Sequence, residues 1–308
     1  MGGRKAEFVL GSVQLGLAYG IANKTGKPSR EAALALVRRA AASGIVQFDT
    51  ARAYGDSEER LGEALSGSKA LTLTKLSPLA DLPADASRES IRDAVDASIA
   101  QSCAALGREK LQCLLLHRAS HMSDHNGVIW QRLLEHLRDG TVERLGVSVQ
   151  SPQEALEALA KPDVRHIQMP FNLLDWRWRE AGVVARCGRR PDVTVHARSV
   201  FLQGLLTSPD PAIWPHIEGV DPVQVLKIIE ELAHTLGRES LADLCLAYVR
   251  GQDFIDGVVI GLETEDQLDL NLRLVVKHPL SPDECAMVES RVPRLPEQLL
   301  NPALWPKR

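Results

Sequence analysis

The sequence predicts an α/β fold, a (β/α)8 barrel of the TIM type, formed as a single domain over residues 1–308 with one extra helix before the last strand. Three observations predict it. Apolar, β-branched runs of strand length alternate with longer segments of helical period along the whole chain. The eight runs are mostly continuous rather than alternating, as in parallel strands buried on both faces. The length of 308 residues, 44% of them hydrophobic, suits one barrel of about 250 residues plus loops. Eight strand-then-helix units favour a closed barrel over an open doubly wound sheet.

The first strand run spans 8–15 and leads into a long loop, LGLAYGIANKTGKPS. Ser29-Arg30-Glu31 opens a helix with Leu34, Val37 and Ala41 on one face, and Gly44 closes it. The second run, 46–50, precedes a helix that Ser57 is expected to cap, with Leu61 and Leu65 facing inward. The third run, 71–76, precedes a helix announced by Ser87 and carrying Ile91, Val95, Ile99 and Leu106. The fourth and fifth runs are 111–117 and 144–148; Ser151-Pro152 then opens a helix with proline at its first position. The sixth and seventh runs are 166–170 and 193–199. A Pro-rich loop over 201–221 leads to helices at 222–236 and 239–250, one of them surplus to a minimal barrel, and the eighth run is 257–261.

A net charge of −4, with no basic stripe interleaved with aromatics, argues against nucleic acid or an anionic membrane as partner. The opening MGGRKAEFVLG has no apolar h-region, and no apolar run is long enough to cross a bilayer. The five scattered cysteines read as thiols of a reducing compartment, so a cytoplasmic protein is expected. His117, His121 and His125 have helical spacing, but Asn126-Gly127 makes that stretch a loop, and no metal is expected. The oligomeric state is open.

Several runs deliver a polar residue at the end where barrel enzymes carry their chemistry. Asp49 ends the second, Lys75 the third and His117 the fourth, while Tyr54 lies in the loop after the second. Each alone is commonly structural; together they can reduce a carbonyl. Reduction needs a proton on oxygen, and a free phenol with a pKa of about 10 holds its proton too tightly. A nearby ammonium stabilises a phenolate. Tyr54 is therefore assigned as general acid and Lys75 as its electrostatic activator. Asp49 pairs with Lys75 and offsets its buried charge. His117 hydrogen-bonds and polarises the substrate oxygen.

These residues in this order, with the stretch Asp49-Thr50-Ala51-Arg52-Ala53-Tyr54-Gly55-Asp56-Ser57-Glu58, resemble the aldo-keto reductase family over nearly the whole chain. The resemblance implies the same catalytic roles and a nicotinamide cofactor, NADP(H) or NAD(H), extended across the barrel mouth without a G-x-G-x-x-G motif. It implies that Ser148 in LGVSVQ and Gln168 in HIQMPFNLLD hold the carboxamide. Ser199, Val200, Leu202 and Gly204 in ARSVFLQGLL correspond to the loop over the pyrophosphate. Gly261, Glu263, Gln267 and Asn271 in VVIGLETEDQLDLN correspond to the adenosine end.

Three positions depart from the family pattern. Val149 stands where an asparagine is common, removing one carboxamide contact. Arg198 stands where an aromatic residue commonly stacks on the nicotinamide; it either stacks, disfavouring the cationic oxidised ring, or reaches the pyrophosphate. Glu263 stands where Arg or Lys commonly grips the ribose 2′-phosphate, so NAD(H) is an option beside NADP(H), unless Arg273 compensates. Trp130, Trp176, Trp178 and Tyr19 are candidate pocket walls, and the loop after the first strand is similar to one in a bacterial subgroup associated with sugar metabolism. The expected activity is reduction of an aldehyde or ketone, small and polar or sugar-like. The alternative is a cofactor-binding redox-sensing or regulatory subunit with little turnover, which the intact tetrad disfavours. No paired carboxylates at strand ends favour a hydrolase or isomerase.

Overall fold

The apolar runs do become a closed parallel barrel. The computed structural model describes residues 6–21, 23 and 26–306. Its strands are β1 (Glu7–Gly11), β2 (Gln47–Asp49), β3 (Leu71–Lys75), β4 (Cys113–Leu116), β5 (Leu145–Ser148), β6 (His166–Pro170), β7 (Thr194–Arg198) and β8 (Gly257–Gly261). Each pairs with the next, and β8 closes on β1 with Gly11 opposite Gly261. The outward side chains, such as Leu10, Phe48, Leu114, Val147 and Ile167, join one large core beneath the surrounding helices. The inward side chains form a second, smaller cluster of Val9, Leu73, Cys113 and Leu115. Across the barrel from it, His166 and His196 meet edge to face with ring centroids 4.2 Å apart, both fully buried.

Sequence signals place most of the helix starts. Ser29, Ser87 and Ser151 each accept a hydrogen bond from a first-turn N–H, satisfying one of the otherwise orphaned donors. The surplus helix is present: Pro222–Thr235 and Leu241–Arg250 both precede β8. Further helices that the periodicity reading did not place, Pro282–Arg291 and Glu297–Leu300, follow β8 and its helix Glu265–Val275.

Two expectations need correction. The first strand does not run to residue 15. It ends at Gly11, where Ser12 Oγ donates to the Asp49 carbonyl at 2.8 Å and the chain turns into the short helix Val13–Gly16. Leu15 is buried as an apolar run predicts, but in a helix. Ser57 does not cap the next helix. Its hydroxyl turns inward to donate to Ser12 at 2.6–3.0 Å and to accept from Thr50 at 3.1 Å, and the helix begins at Ser57 itself. These bonds tie the tops of β1 and β2 together.

Among the described residues, no helix is long and apolar enough to cross a membrane, and no group of three His, Cys, Asp or Glu side chains could hold a metal ion. The cysteines are all unpaired. Residues 1–5, on which the reading of the N-terminus rests, lie outside the described residues, as do Ala22, Lys24 and Thr25 of the long first loop.

Candidate active site

The C-terminal rims of β2, β3 and β4 bring the four candidate catalytic residues together. Lys75 Nζ donates to both Asp49 oxygens at 2.8 Å and to the Thr50 carbonyl at 2.9 Å, which uses all three of its N–H bonds. Both side chains are buried. Burial by itself pulls the Lys75 pKa down; the Asp49 charge and Tyr54 outweigh it, and the ammonium ends above its ordinary value. Nζ lies 4.9 Å from the Tyr54 ring centroid, and the His117 ring stands perpendicular to the Tyr54 ring at 5.8 Å. Lys75 therefore sits within both electrostatic and side-chain reach of the Tyr54 phenol. His117 sits one residue past β4; burial first, then the charges of Lys75 and Arg198, push its pKa down to about 3, which favours the neutral imidazole.

The loop that carries Tyr54 is held from several sides. The helix Val13–Gly16 passes so close that a Cβ on Gly16 would lie 1.8 Å from the Tyr54 carbonyl oxygen, which explains glycine there. Glu58, fully buried, accepts from Thr74 Oγ1 at 2.6 Å and pairs with Arg52. In the stretch from Asp49 to Glu58, then, two residues face the chemistry and Thr50, Arg52, Ser57 and Glu58 build its support.

A cavity of about 1120 Å³ opens from the tetrad and runs across the barrel mouth to Glu263, Asn271 and Arg273. This exceeds the roughly 300–1,000 Å³ usual for small-ligand pockets. Ser148 and Gln168 line it beside the tetrad. Gln168 does two things: its Nε2 donates to Asp49 Oδ1 at 2.7 Å, and its Oε1 is buried with no partner. Val149 supplies only its backbone carbonyl, which accepts from Arg198 at 3.0 Å; Gln150 Oε1 accepts from the same guanidinium at 2.5 Å.

The loop after β7 is built from left-handed turns at Ser199, Leu202, Gln203 and Gly204. Ser199, Val200 and Gly204 line the cavity. Leu202 does not: its side chain is fully buried in the core, because the turn directs Gln203 to the mouth instead, 3.5 Å from the Tyr19 hydroxyl. At the far end, Gln267 Oε1 accepts from the Glu263 N–H at 2.7 Å and Asn271 Nδ2 donates to the Gln267 carbonyl at 2.8 Å. Half of each amide is thus committed, that of Gln267 to the loop before its helix and that of Asn271 to the helix itself. Arg273 is exposed and paired with Glu239 at 3.3 Å, and Glu239 also holds Lys277 at 2.6 Å.

Of the expected pocket walls, Tyr19 lines the cavity and the tryptophans do not. Trp178 is buried and donates to Asp175 at 2.9 Å, Trp176 donates to the Leu295 carbonyl at 3.0 Å, and Trp130 is buried beneath Lys161. Trp176 and Trp178 are packing residues whose indole N–H found a partner elsewhere, and Trp130 packs with its ring face toward Lys161. The sequence reading singled out none of Gln14, Arg118, Gln150 and Glu239, all on the cavity wall; Gln203, also there, falls inside the loop it assigned to the pyrophosphate. Gln14, Arg118 and Gln150 had an available signal, a place two or three residues past the end of a strand. Gln14 Oε1 is buried without a partner and lies over Gly261, where a Cβ would sit 2.1 Å from that oxygen.

The donor set suits a nicotinamide dinucleotide. The orphaned Gln168 Oε1 needs an N–H, which a carboxamide offers; the orphaned Gln14 Oε1 needs a donor such as a sugar hydroxyl. The cavity has the length for an extended molecule and leaves room beside Tyr54 and His117.

This barrel and rim define a nicotinamide-dependent oxidoreductase of the barrel type, and the comparisons agree. The chain belongs to the aldo/keto reductase family, whose profile matches residues 7–292, and it is an NAD(P)-dependent oxidoreductase. It is 24% identical to the L-glyceraldehyde 3-phosphate reductase of Escherichia coli K12 over 320 aligned positions, covering 94% of this chain and 90% of the relative. Among solved structures it is similar in fold to the holo form of an aldo-keto reductase from Bacillus halodurans, with TM-score 0.73 and 21% identity over 94% of this chain and 93% of that one. It is also similar to the glycerol dehydrogenase of Gluconobacter oxydans, with TM-score 0.70 and 20% identity over 94% and 93% of the two chains.

Proposed function

We propose that this protein reduces a small polar or sugar-like aldehyde or ketone to an alcohol with NADH or NADPH, Tyr54 donating the proton. The observation that carries the reading is the Tyr54 ring set between the Lys75 ammonium at 4.9 Å and the His117 ring at 5.8 Å. When bound, the dinucleotide supplies the hydride. His117, neutral, orients the carbonyl oxygen toward the Tyr54 hydroxyl without adding a charge. As charge develops on that oxygen, the phenol gives up its proton, and Lys75 stabilises the phenolate left behind. Asp49 keeps the ammonium in place, and Gln168 keeps Asp49 in place. The same residues run the oxidation with Tyr54 as base.

The substrate reading draws support from the polar cavity mouth of Tyr19, Asn23, Arg118, Ser120 and Gln203. It also draws on relatives whose names specify a phosphorylated three-carbon aldehyde and glycerol. At the adenosine end, Glu263 and Glu239 outnumber the exposed Arg273, which favours NAD(H) over a 2′-phosphorylated dinucleotide. The test is fluorescence titration of the purified protein with NADH and NADPH, then a panel of hydroxyaldehydes and nitrobenzaldehyde. Dinucleotide oxidation that depends on carbonyl and on Tyr54 is the expected result. Tight binding with no turnover across the panel would instead mark a regulatory subunit.

A further inference from the structure

Arg198 is a half-buried cation on the cavity wall that, among the described residues, forms no ion pair at contact distance; Asp49 and Glu154 act on it only through space. It ends β7, with Pro170 of β6 as its register partner, two residues on from Gln168. Its guanidinium donates to neutral acceptors alone: the Val149 carbonyl at 3.0 Å, Gln150 Oε1 at 2.5 Å and, more weakly, Ser199 Oγ at 3.4 Å. The nearby Glu154 is engaged by the Gln150 N–H at 2.6 Å. Gln150 is itself braced, its Nε2 donating to Asn301 Oδ1 at 2.8 Å in the segment that follows the last long helix. The charge is therefore held still and only partly offset, from a distance, by Glu154 and Asp49. It reaches the reacting groups, since it helps to depress the His117 pKa and interacts with Tyr54 and Asp49.

We propose that Arg198 selects the oxidation state of the dinucleotide, making the cavity bind the reduced form more tightly than the oxidised one. The proposal rests on the reading that the cavity takes a nicotinamide dinucleotide. A ring whose carboxamide met the orphaned Gln168 Oε1 would lie near the end of β6, and Arg198 ends the neighbouring strand two residues further along the register. The reduced ring is neutral and the oxidised ring is cationic. A fixed positive charge beside it leaves the first unaffected and repels the second. Product dinucleotide formed by carbonyl reduction would then leave readily, which tunes the site toward reduction.

The experiment measures dissociation constants of the full chain for NADH, NAD+, NADPH and NADP+ at constant ionic strength, and takes the oxidised-to-reduced ratio. Arg198→Met is expected to lower that ratio about tenfold, the effect of one unit charge at roughly 6 Å under strong solvent screening. Arg198→Lys keeps the charge and is expected to keep most of the ratio. Gln150→Glu places a carboxylate against the guanidinium without removing it, and is expected to lower the ratio as Arg198→Met does; it serves as well if Arg198→Met folds poorly. An unchanged ratio in Arg198→Met, with both oxidation states weakened alike, overturns the proposal and assigns Arg198 to the pyrophosphate. Failure of the unaltered protein to bind any dinucleotide overturns the functional reading and this inference with it.

Discussion

The two ends of the cavity are built by different rules. At the catalytic end Asp49 and Lys75 close β2 and β3, and His117 directly follows β4. They are largely buried, and their partners are one another. At the adenosine end Glu263, Gln267, Asn271 and Arg273 lie on a loop and a helix face. Glu263, Gln267 and Asn271 bond to one another along that segment, and Arg273 pairs with Glu239 at a neighbouring helix start. Barrel closure sets the positions of strand ends to within a residue, so buried chemistry there is rigid and pre-organised. Exposed charges on helices are arranged by long side chains in water, and each is worth little alone. The first end should therefore be intolerant of single changes and the second adjustable.

The largest expected effect is Tyr54→Phe. It removes the only phenol beside both Lys75 and His117 and leaves the dinucleotide wall untouched. Turnover is expected to fall by about 10²–10⁴-fold, with dinucleotide affinity nearly unchanged. Wild-type turnover in the purified variant would remove Tyr54 from its role. His117, held at about 3, is expected to add no ionisation to the rate profile between pH 5 and 8. A step in that window that disappears in His117→Gln would contradict the neutral imidazole.

Lys75→Met tests the rigidity of the same end. It leaves the buried Asp49 carboxylate with Gln168 as its remaining side-chain donor. Removing one member of a buried pair typically destabilises by about 3–5 kcal/mol, because the other charge stays behind unpaired. Urea denaturation should show this loss, and the double variant Lys75→Met with Asp49→Leu should recover part of it. Equal stability of single variant and wild type would mean the pair is solvated in solution.

How much of this was legible follows from the same contrast. Asp49, Tyr54, Lys75 and His117 could be read because strand order alone brings successive strand ends to one rim. Ser12 could not, since its side-chain bond to β2 ends a strand that the apolar pattern would have continued to Leu15. Leu202 was read as part of the loop over the pyrophosphate; its side chain is core, because a run of left-handed turns sets Gln203 rather than Leu202 at the mouth. Trp176 and Trp178 were read from their place after the sixth strand, whereas the indole N–H groups turn away to Leu295, distant in sequence, and to Asp175. The pairing of His166 with His196 depends on the register of β6 and β7, which no local pattern carries.

That pair gives the next effect in size. Burial holds His166 well below its usual pKa, and holds His196, like His117, down to about 3. The unfolded chain takes up these protons near pH 6.5, while the folded chain stays neutral until far lower. Their contribution to stability is complete above about pH 6.5 and is lost as pH falls toward 3, by up to about 1.4 kcal/mol per pH unit for each histidine. His196→Gln is expected to flatten the decline in folding free energy between pH 6 and 4 by about one such slope. An unaltered slope would show that water reaches the barrel interior and lets the pair protonate in place.

The smallest effect belongs to the adjustable end and decides the dinucleotide. Glu263 lies on the cavity wall, and Arg273, the nearest candidate for a 2′-phosphate, is already paired with Glu239. Glu263→Arg replaces a repulsion with an attraction and frees no buried group. It should shift affinity toward NADPH relative to NADH by about fivefold, the scale of an exposed charge pair near 1 kcal/mol. Glu239→Gln should move the ratio the same way by a smaller factor, by releasing Arg273 and Lys277. Both shifts should shrink as salt is added, because the charges are exposed. A wild type that already binds NADPH far more tightly than NADH would refute the assignment of Glu263. The phosphate would then be held by Arg273 after it leaves Glu239, and Arg273→Ala, rather than Glu263→Arg, would become the variant that changes the ratio.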